Sequence, residues 1–416
     1  MKLWMSAFSL LWTILLCAEE PATALIEINV ADARLEHAPV SVSLENVNLA
    51  PSAGKLVLYK ISDGHRQAVP SQILPGRVPR LFWIIDQADA GRTLRYELCT
   101  GNEQPASNKI KVNIDERKIV LSRDDKNILQ YATAQTYPPE GVSEVYKRSA
   151  FIHPLWSPAG KILTRIQPPD HWHHYGIWGP WTKTHINGRE IDFWNLAKGQ
   201  GTVRFAGLLS KIEGPVYSGF QVHQEHVDFG ALGSDKTVIN EVLDIRVWNT
   251  LDNMWLLDYT ITLNCPQDSI LLDAYRYGGG IGFRAAESWT KENVRVLTSA
   301  GKTRADADGT FARWCDVSGE DENGVRSGIV FMSHPNNKSH PEPMRVWPLD
   351  ANRGRGDMFF EFCPIRHKPW QLALGADYVL RYRLLVYDGA IDSARAEQVW
   401  QNFAAPPIAK IVLTKK

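Results

Sequence analysis

The chain has no excess of charge: 46 Lys and Arg are matched by 46 Asp and Glu among 416 residues. Without a basic or acidic field there is nothing to gather nucleic acid or an anionic membrane, and neither is expected as a partner. Cysteine is scarce, five in all and with no CxxC pair, which excludes a zinc knuckle and a dithiol redox motif. Gly-x-Ser-x-Gly, the Walker loop and HExxH are all missing. Serine-hydrolase, nucleotide and zincin readings therefore lose their usual support, and no nucleotide cofactor is expected. Past the amino terminus no apolar run approaches the length that spans a bilayer. No repeat of fixed period and no low-complexity tract is present.

The start of the chain reads as a secretion signal over residues 1–24. Lys2 supplies the positive charge, Leu10 to Leu16 the short apolar run, and Ala22-Thr23-Ala24 a small-x-small cleavage site. Cys17 follows Leu16, which is too large for a lipid-attachment pattern. A secreted or periplasmic protein, with no membrane association after cleavage, is the expectation. Export leaves Cys99, Cys265, Cys315 and Cys363. A disulfide is permitted in that compartment, the spacing does not select a pair, and buried free thiols are the alternative.

What the chain does contain is strand grammar. Val40–Leu44, Lys55–Tyr59 and Leu94–Leu98 alternate with period two between Gly, Pro, Asn and Asp, so residues 25–103 predict a small β-sandwich. Gly101 to Asn108 reads as a linker. From 109 to 416 the pattern resumes, in short runs (109–114, 118–121, 128–131) and then longer amphipathic ones (241–248, 256–263, 378–387). One helix is signalled, with Asp392 or Ser393 as N-cap and Val399, Trp400 and Phe403 on one side, stopped by Pro406-Pro407. The fold class is thus all-β: a small N-terminal sandwich, then a large antiparallel two-sheet sandwich with a C-terminal helix.

Against this background one segment stands out, Pro168-Pro169-Asp170-His171-Trp172-His173-His174-Tyr175-Gly176-Ile177-Trp178. Three imidazoles, a carboxylate and two indoles are costly to bury and poor as plain surface, so the run reads as a site. In a strand His171 and His173 would share a face and His174 would oppose them, whereas in a loop all three can converge. Three roles remain open: ligands of a divalent metal, a metal-free acid/base or substrate-gripping group, and structural histidines. His153 lies between apolar neighbours and is more ordinarily a satisfied core group. His223 and His226 could give a ligand pair at i and i+3, but in a strand, as Val222 and Val227 suggest, they lie on opposite faces. The glycines of Tyr275–Arg284 lack the following helix that a dinucleotide loop requires, and instead suggest close backbone approach. His334, Asn337, Arg345 and Trp347 place planar polar groups beside an indole, as sugar recognition would; a plain turn built on Pro335-Asn336-Asn337 is the alternative. Arg355-Gly356-Asp357 reads as a chance loop sequence.

Several of these strings together resemble one bacterial family. They are Lys147–Leu155, Pro169–Gly176, Asp192-Phe193-Trp194, Gly278-Gly279-Gly280, Arg313–Asp316, His334–Asn337 and Leu380–Leu384. The resemblance, over residues 110 to 405, is to a domain-of-unknown-function family often labelled PmoA or methane oxygenase-like. It implies a galactose-mutarotase-like large sandwich and work on carbohydrate. Where this chain has Trp172 and Tyr175, the family typically has Pro and a basic residue.

The resulting expectation is an exported carbohydrate-active enzyme that cleaves an oligosaccharide, polysaccharide or other glycoside by elimination, including from a 3-keto sugar, or by hydrolysis. His171, His173 and His174 are the candidate bases or metal ligands, and Asp170 an orienting group. His153 and His334 are further catalytic candidates, and Arg284 would steady negative charge. Trp172, Trp178, Trp181, Trp194, Tyr277, Arg284, Asn337, Arg345 and Trp347 are the candidate sugar contacts. The rival readings are a non-catalytic glycan-binding protein, an epimerase or a metal-dependent oxidase.

Overall fold

A computed structural model describes residues 23–31, 33–47, 56–101, 110–230, 234–250 and 253–414. The leader over residues 1–24 falls outside these except for Thr23 and Ala24, and the linker except for Gly101. Ala24 is already paired in a strand, opposite Leu98.

Among the described residues there are five sheets and every strand pairing is antiparallel. The N-terminal unit is a sandwich of a five-stranded and a three-stranded sheet. Its core forms as the period-two pattern requires: Ile26, Ile28, Leu58 and Leu98 from one sheet meet Val40, Val42, Leu81, Trp83 and Ile85 from the other. The strand at one edge of the larger sheet is Ala409–Thr414, which pairs with Ala24–Asn29. The expected range 109–416 for the large domain therefore overruns: its last strand returns to complete the first sheet, whose edge would otherwise be unpaired.

The large unit faces an eight-stranded sheet against a nine-stranded one. Long strands build the first, among them Lys236–Trp248, Met254–Asn264 and Asp377–Asp388, paired residue by residue. Val238, Leu243, Ile245, Ile261, Leu263 and Leu380 turn inward from it to one extensive core. The predicted helix is Ser393–Ala404, capped by Asp392, whose side chain accepts from Arg395 N at 2.7 Å. Ala396, Val399 and Phe403 are buried with Trp314, Val330 and Met332 of the eight-stranded sheet and with Phe82 of the small sandwich. Val399 and Phe403 each contribute roughly 1.5–3 kcal/mol, so helix and small sandwich lock onto the same outer sheet face. Gln72 ties the units further, its Oε1 accepting from Val216 N and Tyr217 N.

Cys99, Cys265, Cys315 and Cys363 are buried free thiols, so the permitted disulfide does not form among them. Among the described residues no helix is long and apolar enough to cross a membrane.

Candidate functional site

The histidine run is a loop, reached from the nine-stranded sheet and returning to it. Ile166 bridges Tyr175 across its base, and His171 N→Pro168 O (2.9 Å) and His174 N→His171 O (3.0 Å) close two successive turns above. Gln167 N bonds His174 O at 2.8 Å, and Tyr175 OH donates to Tyr146 O while accepting from Gln167 Nε2. Gly176 follows with φ +62°, where a Cβ would lie 2.2 Å from Ile152 O. No other residue fits that approach. The loop is thus held rigidly at the mouth of the strand Ile177–Trp178.

Because the segment turns instead of extending, the three rings gather. His171 stacks on His174 at 4.7 Å, and His173 stands edge-on to both at 5.4 and 4.9 Å. Depth separates them. The His171 side chain is 37% exposed, whereas His174 is wholly buried among Trp178, Trp194, Trp347 and Phe359. Burial, reinforced by His173 and Arg284, drives His174 well below the usual imidazole range. Burial, then the charges of His171 and Arg284, lowers His173 to about 3. Both are neutral at pH 7.

His171 has a distinct environment. Its Nδ1 donates to Asp170 Oδ2 at 2.8 Å, and Nε2 has no protein partner among the described residues. Asp170 in turn receives Arg284 Nη2 on both oxygens, at 3.0 and 2.9 Å. Burial alone would raise the Asp170 carboxyl, but the His171 hydrogen bond and the Arg284 charge outweigh it and hold the group well below the carboxylate range. The same guanidinium nitrogen reaches Asp357 Oδ2 at 2.6 Å, and Arg355 meets the other Asp357 oxygen at 2.6 Å. Arg284 also lies over the Trp347 ring at 4.7 Å, with His171 4.9 Å from that indole.

Other expected residues join this group. Tyr277 OH accepts from Arg345 Nη2 and Trp347 Nε1, both at 3.1 Å, and Trp194 packs on Tyr277 at 4.9 Å. Trp172 is half-buried on the loop.

Several expected residues do not join. Trp181 is fully buried, packed on Trp370 and closing over Gly279, so it is core and no sugar platform. Trp178 and Trp194 are also buried, as the floor beneath His174, and offer no face to a ligand. His153 Nδ1 lies 2.9 Å from Thr164 Oγ1 and burial lowers it to about 4: it is the satisfied core group. His334 sits against Phe403 of the helix, remote in contacts from the loop. Asn337 is spent on Glu342 and on both backbone groups of Arg381. His226 is buried against Glu241 while His223 faces the other way toward Asn240, as two faces of one strand require.

Among the described residues no group of three or more His, Cys, Asp or Glu is arranged to hold a metal ion. Asp357, Arg355, Arg165 and Phe359 were not foreseen. The Arg355-Gly356-Asp357 string is no idle loop, since Gly356 takes φ +72° and both its flanking side chains serve the Arg284 cluster.

The chain belongs to the family described as "Family of unknown function (DUF6807)", which matches residues 118–401. Nothing supports the methane-oxygenase label. No curated protein matches the chain. Among solved structures it is similar to an α-mannosidase from Enterococcus faecalis V583 (9% identity, 96% of this chain, 48% of that one, TM-score 0.46). A glycosyl hydrolase family 38 protein from Enterococcus faecalis gives 9%, 95%, 48% and 0.47. A candidate aldose 1-epimerase from Klebsiella pneumoniae subsp. pneumoniae MGH 78578 gives 11%, 88%, 95% and 0.29. The chain spans about half the length of the two Enterococcus proteins.

Proposed function

We propose that this is an exported carbohydrate-active enzyme in which His171 is the proton carrier that cleaves a glycoside. One observation carries the reading: a half-exposed imidazole whose Nδ1–H is fixed on an ionised carboxylate and whose Nε2 is free, beside the Trp347 indole. That fixes the neutral tautomer with its lone pair on Nε2, the arrangement a general base needs. The half-buried Trp172 is the apolar surface left for a sugar ring, since Trp347 and the other candidate indoles are buried.

The neighbours narrow the chemistry. His173 and His174 are held neutral and carry no proton to give at pH 7. Asp170 is held ionised by His171 and Arg284, so it does not serve as the protonated acid of two-carboxylate hydrolysis. The proton that His171 removes is therefore the one it returns. In an elimination, the electron pair of a C–H bond acidified by an adjacent carbonyl forms the C=C bond. The glycosidic C–O bond breaks, and its oxygen takes the proton from the His171 imidazolium. A 3-keto-glycoside is a substrate of that kind.

The test is turnover of 3-keto-glycosides and uronide oligomers by wild type and His171→Ala. Lost turnover with retained ligand binding supports catalysis. Unchanged product formation overturns the assignment, and binding without turnover in wild type favours a glycan-binding protein.

A further inference from the structure

A second site stands apart from the histidine loop, in the cleft where small sandwich, C-terminal helix and eight-stranded sheet meet. The cavity measures about 540 Å³, within the range of small-ligand pockets. Its charged lining is one-sided: Arg80, Arg246, Arg381, Arg383 and His334 face it, and no Asp or Glu does. Two of these arginines are neutralised from outside the lining, Arg246 by Asp244 (2.8 Å) and Arg383 by Asp258 (2.6 and 2.9 Å). The other two are not. Arg80 bonds Ser41 Oγ at 2.8 Å and meets no carboxylate among the described residues, and Arg381 is bonded there only through its backbone, as by Asn337. His334 Nδ1 accepts from Asn336 N at 3.1 Å, which puts the proton of the neutral ring on Nε2. That N–H too has no acceptor among the described residues.

The structure assigns this cleft as a binding site for an anionic ligand, one bearing carboxylate, sulfate or phosphate groups, gripped by Arg381, Arg80 and His334. Two planar guanidinium forks without counter-charges and a neutral N–H donor are complementary to such oxygens. The lowering of His334 to about 4, by burial and then by Arg381, agrees with a positive local field that an anion would relieve. The site draws on three separate parts of the chain, so an occupant would also bridge the two sandwiches. It does not depend on the reading of His171.

Calorimetric titration of the whole chain at low salt tests this, with a galacturonic acid trisaccharide, a sulfated disaccharide, inorganic phosphate and maltotriose as probes. At least one anion binds, maltotriose does not, and affinity falls as salt rises. Arg381→Ala and Arg80→Ala each weaken binding roughly tenfold, the loss expected of a charge-assisted contact. His171→Ala leaves it unchanged, which separates this result from the fate of the catalytic proposal. An acidic saccharide that outbinds phosphate identifies a glycan site, whereas equal affinity identifies a simple-anion site. Failure of every anion to bind overturns the assignment, as does binding unaffected by the Arg80→Ala/Arg381→Ala double variant when its melting temperature matches wild type.

Discussion

Replacing Asp170 by Asn removes one charge at the point where fold and chemistry meet. The carboxylate accepts one bond from His171 Nδ1 at 2.8 Å and two from Arg284 Nη2 at 3.0 and 2.9 Å. Arg284 is only 1% exposed, so it cannot turn to water once its partner is gone. Breaking a buried pair from one side costs about 3–5 kcal/mol, and the surviving Asp357 contact should hold the loss near the lower figure. The effect on rate is separate. An amide can turn its NH2 toward Nδ1, which then accepts, and the imidazole proton moves to Nε2. The base has then lost its lone pair. In the Ser-His-Asp triad the equivalent exchange lowers kcat about ten-thousand-fold with geometry intact, and a loss of that order is expected here. Urea denaturation gives the first quantity and the pH–rate profile on a 3-keto-glycoside the second. A variant with wild-type rate, unshifted profile and a stability loss under about 1 kcal/mol would refute the dyad, since even a single charge-assisted bond exceeds that.

His173, neutral when folded, titrates near 6.5 when unfolded, so its contribution is complete above pH 6.5 and is lost as pH falls toward about 3. Wild type should therefore lose about 1–2 kcal/mol more than His173→Gln between pH 6.5 and 5.0, read from urea midpoints; equal losses would contradict a buried neutral ring. His174 has both ring nitrogens unpartnered in the protein, so His174→Phe, which keeps the aromatic packing, should stabilise the chain by about 1–3 kcal/mol. A destabilised variant would mean that those nitrogens are satisfied by bound water. Gly279, at φ +77°, would place a Cβ 1.9 Å from the Trp181 ring. Gly279→Ala should cost about 3 kcal/mol or more in thermal or urea denaturation, backbone strain adding to overpacking.

The sequence made some parts of this molecule easy to read and hid others for physical reasons. Lys236–Trp248 and Met254–Asn264 were legible because one face meets the core and the other is wetter, which writes itself as alternation. Phe359–Phe362 was not, and Ile281–Arg284 gave only a glycine signal, because both strands are buried on both faces and alternate in nothing. The same strands carry Arg284 and Phe359 to the site. Composition revealed the histidine loop, but not Asp357, whose partner Arg284 lies 73 residues away in sequence. Trp181 and Trp194 look alike as letters, and only packing separates core from floor. His334 and Trp347 lie close in sequence, yet the strand Glu342–Val346 runs between them and carries one toward the helix and the other to the loop.

The site therefore depends less on the number of histidines than on how one arginine spaces them. Arg284 lies in a strand whose register sets it opposite Phe359, so its position is fixed by the sheet. From there it fastens Asp170 of the loop and Asp357 of the turn beyond, while lying over Trp347. It reaches both carboxylates through the single nitrogen Nη2, and its plane covers the Trp347 ring, a face that a lysine ammonium could not supply. The clamp keeps Asp170 ionised, Asp170 keeps His171 in one tautomer, and the positive charge helps hold His173 and His174 neutral. Three adjacent imidazoles would otherwise compete for protons. With His173 and His174 held neutral, the proposed reaction has His171 as its one carrier, in place of a two-group mechanism.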